Sequence, residues 1–185
     1  MRLGVRKVAT VATMVAVCIA TNYALVGVPN VKLMDFIVFV GGFCFGPFTG
    51  MLIGALTWAV YGAINPYGFV PQIWLATMFF ESIYGLVGGV LGRYYDSTSF
   101  DGQRFRLSVF FGIIGCILTL TYDSIVNVVY ALVFSVPIIA AIFLGMPFQV
   151  SHVVSNAVIF AGGSIPLISI VRKMLGGRKF GVITK

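Results

Sequence analysis

The sequence predicts an all-α integral membrane protein with six transmembrane helices and both termini cytoplasmic. Composition is the first reason. Of 185 residues, 59% are hydrophobic and only 9% are charged, against roughly 25% charged in soluble domains, and the mean hydropathy is +1.05. So few charges cannot coat a water-facing surface, so lipid must cover most of the chain. The second reason is the series of apolar runs at about 8–28, 35–46, 48–65, 72–92, 107–132 and 148–171, most of them near the ~20 residues a bilayer demands. The third is charge placement. Arg2, Arg6 and Lys7 precede the first run, Arg93, Arg104 and Arg106 lie between the fourth and fifth, and Arg172, Lys173, Arg178, Lys179 and Lys185 follow the sixth. With six passes all eleven fall on one side and only Lys32 on the other, which the positive-inside rule assigns to the cytoplasm.

Taken in order, the first run follows Arg2, Arg6 and Lys7 as a signal peptide would, but it continues to a spanning length, and Val17 before Cys18 disfavours a lipoprotein cleavage site. It reads as a retained helix. The second run is short and joins the third through Gly46-Pro47. The segment 93–106 is the most soluble stretch, with Asp96 and Asp101 among its bases. The segment 133–147 is apolar but interrupted by Pro137, Gly145 and Pro147, and reads as a loop against the outer surface. The length suits one domain over 1–185. Cys18, Cys44 and Cys116 each sit within an apolar run with no CxxC spacing, as buried small hydrophobes do.

Polar groups inside hydrocarbon are costly unless they face protein or water, so their positions locate a site. The fifth run carries Thr119, Asp123, Asn127 and Tyr130, spaced to share a helical face. The sixth carries Gln149, His152 and Asn156 on one face. The third holds Trp58, Tyr61 and Asn65, and the fourth opens with Gln72 and Trp74 and holds Glu81 near its middle. In the six-pass topology these groups lie at similar outer depth, with Glu81 deepest. They outline a pocket open to the outside, with the aromatic walls and few polar groups that suit a small organic ligand. The same residue types also serve as interfacial anchors and as hydrogen-bonding links between helices.

Ala12, Ala16 and Ala20 form a small-xxx-small stripe on the first helix, a spacing that lets another helix approach closely. Gly42/Gly46, Gly50/Gly54, Gly85/Gly89 and Gly88/Gly92 repeat it and suit internal packing. The chain has no GxxxxGK[ST] nucleotide loop, no GxSxG and no HExxH, and one histidine cannot build a multi-histidine metal centre. No basic and aromatic interleaving points to nucleic acid, and nothing calls for a cofactor.

Several segments together resemble the S components of energy-coupling factor (ECF) transporters. They are Val28-Pro29-Asn30-Val31-Lys32-Leu33-Met34-Asp35, Phe45-Gly46-Pro47-Phe48-Thr49-Gly50, Asn65-Pro66-Tyr67-Gly68 leading to Gln72-Ile73-Trp74, Tyr122-Asp123-Ser124-Ile125-Val126-Asn127, and Pro147-Phe148 through His152 to Asn156. The resemblance spans about residues 8–172. It implies an S-component-like bundle in the plasma membrane of a prokaryotic cell that captures a vitamin or related micronutrient from outside. It further implies a transmembrane coupling protein and two ATPase subunits as partners, with no catalysis in this chain, and matches Ala12, Ala16 and Ala20 to the family's docking face. Substrate would bind near the outer surface under the segments 28–34 and 65–71, which adds Asn30, Lys32, Asp35 and Tyr67 to the site. Arg2 stands where nickel and cobalt S components carry histidine, so an organic substrate, cobalamin-like or another vitamin, is expected over a metal. A self-contained secondary transporter or channel, an intramembrane enzyme and a structural subunit are the rival readings.

Overall fold

The computed structural model describes residues 4–66, 68–95, 100 and 102–174. Among the described residues there are six α-helices and no strand: α1 Val5–Ala24, α2 Met34–Phe45, α3 Pro47–Ile64, α4 Pro71–Tyr94, α5 Arg104–Phe134 and α6 Ile138–Met174. Five are long and apolar enough to cross a membrane, and α2, at 12 residues, is the exception. At 1.5 Å per residue α2 reaches only about 18 Å against a ~30 Å hydrocarbon core.

Its apolar character comes instead from its surroundings. α2 packs against α1, α3, α4 and α6, and every residue from Met34 to Cys44 is buried. A helix hydrophobic all round is one enclosed by protein. Phe39 of α2 stands 5.1 Å from Phe160 and 6.0 Å from Phe111 between ring centroids, so one aromatic core joins α2 to α5 and α6. α2 ends at Gly46, whose φ of 96° favours glycine, and Pro47 starts α3 in the first helical turn, where its missing N–H costs nothing.

α3 and α4 meet backbone to backbone, and α2 joins them. A Cβ on Gly50 would come within 2.5 Å of the Gly42 Cα and the Gly85 carbonyl oxygen, and one on Gly54 within 2.7 Å of the Glu81 carbonyl oxygen. Gly88 and Gly92 meet the Phe39 and Phe43 carbonyl groups in the same way. The repeated glycines therefore form an internal seam.

The segment 133–147 departs from its sequence expectation. Only Ser135–Pro137 is non-helical, with Ser135 left-handed at φ 53° closing α5, and helix resumes at Ile138 and runs through Pro147. Proline is tolerated within a helix that neighbours support. Gly145 is a contact rather than a break, since a Cβ there would lie 2.6 Å from Asn127 Oδ1 on α5. At the other end of the bundle, Arg172 of α6 donates to the Tyr95 carbonyl at 2.9 Å and to that of Gly92 at 3.0 Å, capping α4, with its guanidinium 4.8 Å from the Phe43 ring centroid.

Candidate binding site

Where α1, α3 and α5 end and α2, α4 and α6 begin, the bundle holds a cavity of ≈ 540 Å³, within the ordinary range for small-molecule sites. Trp58 and Tyr61 of α3, Trp74 of α4, Tyr130 of α5 and Phe148 of α6 give it aromatic walls. Both indoles are fixed. Trp74 Nε1 donates to the Trp58 carbonyl at 2.9 Å, and Trp58 Nε1 donates to Glu81 Oε2 at 3.2 Å. Tyr61 meets Trp58 edge-on at 5.5 Å and Tyr23 at 5.7 Å. Lys32, from the segment joining α1 to α2, holds its ammonium 5.3 Å from the Trp58 ring centroid, a cation–π placement.

The cavity is covered by the 25–33 segment, which is tied to α6. Asn30 Nδ2 donates to the Phe148 carbonyl at 2.9 Å, and Ser151 Oγ donates to the Pro29 carbonyl at 3.0 Å. Asn30 sits at φ 57°, a left-handed conformation asparagine accepts more readily than most residues. Asn65 shapes the opposite rim, donating from Nδ2 to the carbonyls of Gly62 at 2.8 Å and Gly68 at 3.3 Å.

Of the residues the sequence proposed for the site, Asn30, Lys32, Trp58, Tyr61, Asn65, Trp74 and Tyr130 border this cavity. Tyr67 lies outside the described residues. Gln72 is exposed at the start of α4 and stands off the wall. Glu81 is fully buried and reaches the wall only through its bond to Trp58.

Asp35, Asp123, His152 and Asn156 form a separate network between helices. His152 Nε2 stands 2.6 Å from Asp35 Oδ2, and Nδ1 stands 3.1 Å from both oxygens of Asp123. Asn156 Nδ2 donates to Asp35 Oδ2 at 2.7 Å and to Thr119 Oγ1 at 2.8 Å, and Tyr84 OH donates to Thr119 Oγ1 at 2.9 Å. With a carboxylate on each ring nitrogen, two protons are shared along the chain Asp35–His152–Asp123, because neither contact is a hydrogen bond without one. The network joins α2, α4, α5 and α6, and Asp35, His152, Asn156 and Thr119 are all buried. Gln149 likewise spends its amide on α5, donating to Ser124 Oγ at 3.0 Å, and Asn127 packs against Gly145. The polar stripes of α5 and α6 thus face each other below the cavity. No group of three or more His, Cys, Asp and Glu able to hold a metal occurs among the described residues.

Two polar wall residues, Asn22 and Thr77, escaped the sequence reading. The signal for Asn22 was present: an amide inside an apolar span is as costly as the polar residues that were noticed. It continues the buried stripe Val11, Val15, Cys18 of α1, while Ala12, Ala16 and Ala20 lie on the opposite, exposed face.

The model of one protein family, ECF-type riboflavin transporter, S component, matches residues 2–173. No curated protein and no solved structure matches the chain.

Proposed function

Since the chain belongs to the S components of ECF-type riboflavin transporters, we propose that its cavity captures riboflavin or a close flavin relative. Membership makes it a vitamin-binding subunit of an ATP-driven importer, a transport subunit and not a catalyst, and a multi-pass plasma-membrane protein of prokaryotic type. The flavin reading rests on one observation: two indoles held in fixed orientation on the wall of a ≈ 540 Å³ cavity. A flat tricyclic ring buries its faces well against such walls. A corrinoid is a far larger ligand than a flavin and fits a cavity of ≈ 540 Å³ poorly.

Six passes with both termini cytoplasmic are supported by the direction of the helices. α1, α3 and α5 end at the cavity and α2, α4 and α6 start there, so α2 returns the chain across the bundle despite its length. The basic residues Arg6, Lys7, Arg93, Arg104, Arg106, Arg172 and Lys173 sit at or beyond the opposite helix ends, which supports a cavity that faces outside. S components work with a coupling protein and ATPase subunits. In this chain the exposed Ala12, Ala16 and Ala20 face supports docking on the coupling protein, with two ATPases completing the complex.

The test is a fluorescence titration of purified protein with riboflavin. Stacking on the indoles should quench the flavin, with a dissociation constant of about 1 μM or lower. An emission that stays unquenched up to about 100 μM, with a correctly folded protein, overturns the flavin assignment.

A further inference from the structure

Among the described residues, Lys32 alone brings a charge to the cavity wall. It is half-buried, and its ammonium stands over the ring of Trp58, itself a wall residue. The charged end of the side chain, and not its stem alone, is thus turned to the surface on which an aromatic ligand would lie. No hydrogen bond or ion pair holds it among the described residues. Asp35 and Glu81 are buried and stand off the cavity, with Asp35 Oδ2 spent on His152 and Asn156 and Glu81 Oε2 on Trp58. An ammonium carries three N–H donors and no acceptor. Over an indole face it is held by its charge, so its donors are left for a ligand. Trp58 is 9% exposed, against 49% for Phe134 at the mouth. The ammonium therefore sits toward the enclosed end, where a charge is screened least.

We propose that Lys32 is a specificity-determining residue whose ammonium meets the electron-rich, carbonyl-bearing edge of the bound ring, in a flavin the pyrimidine edge. The inference rests on the flavin reading above and deepens it. As the ring settles on Trp58, the flexible lysine stem carries the ammonium from the indole face to the edge of the ligand. A cation–π contact is exchanged for charge-assisted hydrogen bonds, which are the stronger kind. A ligand with a positive charge at that edge meets like charge in an enclosed site and is rejected.

The experiment compares oxidised riboflavin with riboflavin reduced anaerobically by dithionite, at mildly alkaline pH, on the wild type, Lys32→Met and Lys32→Arg. Reduction turns the ring into an anion with its charge on the pyrimidine edge. The ratio of the two dissociation constants therefore reads the charge facing that edge, which a merely structural role for Lys32 would not set. Binding is followed by tryptophan fluorescence, and thermal unfolding establishes that each variant is folded. Lys32→Met keeps the stem and removes the charge. It should bind oxidised riboflavin about tenfold more weakly and lose at least about tenfold of the wild-type preference for the anion. Lys32→Arg should keep that preference within about threefold. A wild type that binds the anion more weakly than the oxidised ring overturns the assignment without reference to any variant. An unchanged ratio in Lys32→Met overturns it too, as does tighter binding of oxidised riboflavin there, which makes the ammonium a competitor for the Trp58 face. A wild type that binds neither form overturns the flavin reading itself and this inference with it.

Discussion

Replacing His152 with leucine removes both ring nitrogens from the centre of the Asp35–His152–Asp123 chain. Asp35 is 1% exposed and keeps the Asn156 amide at 2.7 Å. Asp123, with 12% of its side chain exposed, retains some access to other partners. The main cost is a buried carboxylate deprived of its closest partner, at 2.6 Å. Removing one member of a buried charge pair destabilises by about 3–5 kcal/mol, and for a chain of this size each kcal/mol moves the melting temperature by about 2–4 °C. His152→Leu should therefore lower the apparent Tm in detergent by about 6–20 °C. Because His152 does not border the cavity, riboflavin affinity in the cold should stay within about threefold. Adding Asp35→Asn, which removes the stranded charge, should recover a substantial part of the lost Tm. The assay is thermal unfolding followed by intrinsic fluorescence, paired with the flavin titration. A Tm drop below about 2 °C, or a tenfold affinity loss at unchanged Tm, refutes the reasoning and returns His152 to the ligand site.

Two further outcomes are expected. Gly85→Val places its side chain where the Gly50 backbone already stands; over-packing costs about 1–3 kcal/mol even where side chains yield, and backbone cannot. Size-exclusion chromatography should show loss of the monodisperse protein, while Gly162→Ala, with nothing within 4 Å, should behave as wild type. Ala16→Trp, on the exposed face of α1, should abolish co-purification with the coupling protein and leave flavin quenching intact; a complex that survives removes that face as the docking surface.

Much of the fold could be read directly. Apolar runs and charge placement mark out the helices because the bilayer imposes both length and polarity on them. α2 shows where that reading stops. An apolar run of 12 residues has the same composition whether lipid or protein surrounds it. Ile138–Pro147 shows another limit. Gly145 and Pro147 were read as breaks, yet glycine at a helix crossing and proline in a supported helix are both ordinary, and Pro137 just before Ile138 was the better guide to the true start. For the site, the aromatic residues of α3 and α4 were legible because α3 ends where α4 begins, which brings Trp58, Tyr61 and Trp74 together. The α5 and α6 stripes were recognised as inward-facing, but periodicity fixes only the face and not the neighbour. Asp123, His152 and Asn156 face a partner helix, whereas Tyr130, one turn beyond Asn127, reaches the cavity.

The glycine seam has a mechanical consequence. Between Gly42, Gly50 and Gly85 the contact is between peptide planes, with no rotamers to exchange. α3 and α4 are thereby joined as one stiff plate, and the two indoles mounted on it, 16 residues apart in sequence and linked by the Trp74 bond to the Trp58 carbonyl, keep a fixed spacing. Under the flavin proposal, entry and exit of the vitamin are accommodated on the facing side, where the Asn30 and Ser151 hydrogen bonds tie the 25–33 segment to α6. On that proposal one wall is rigid and the other is the part that gives way.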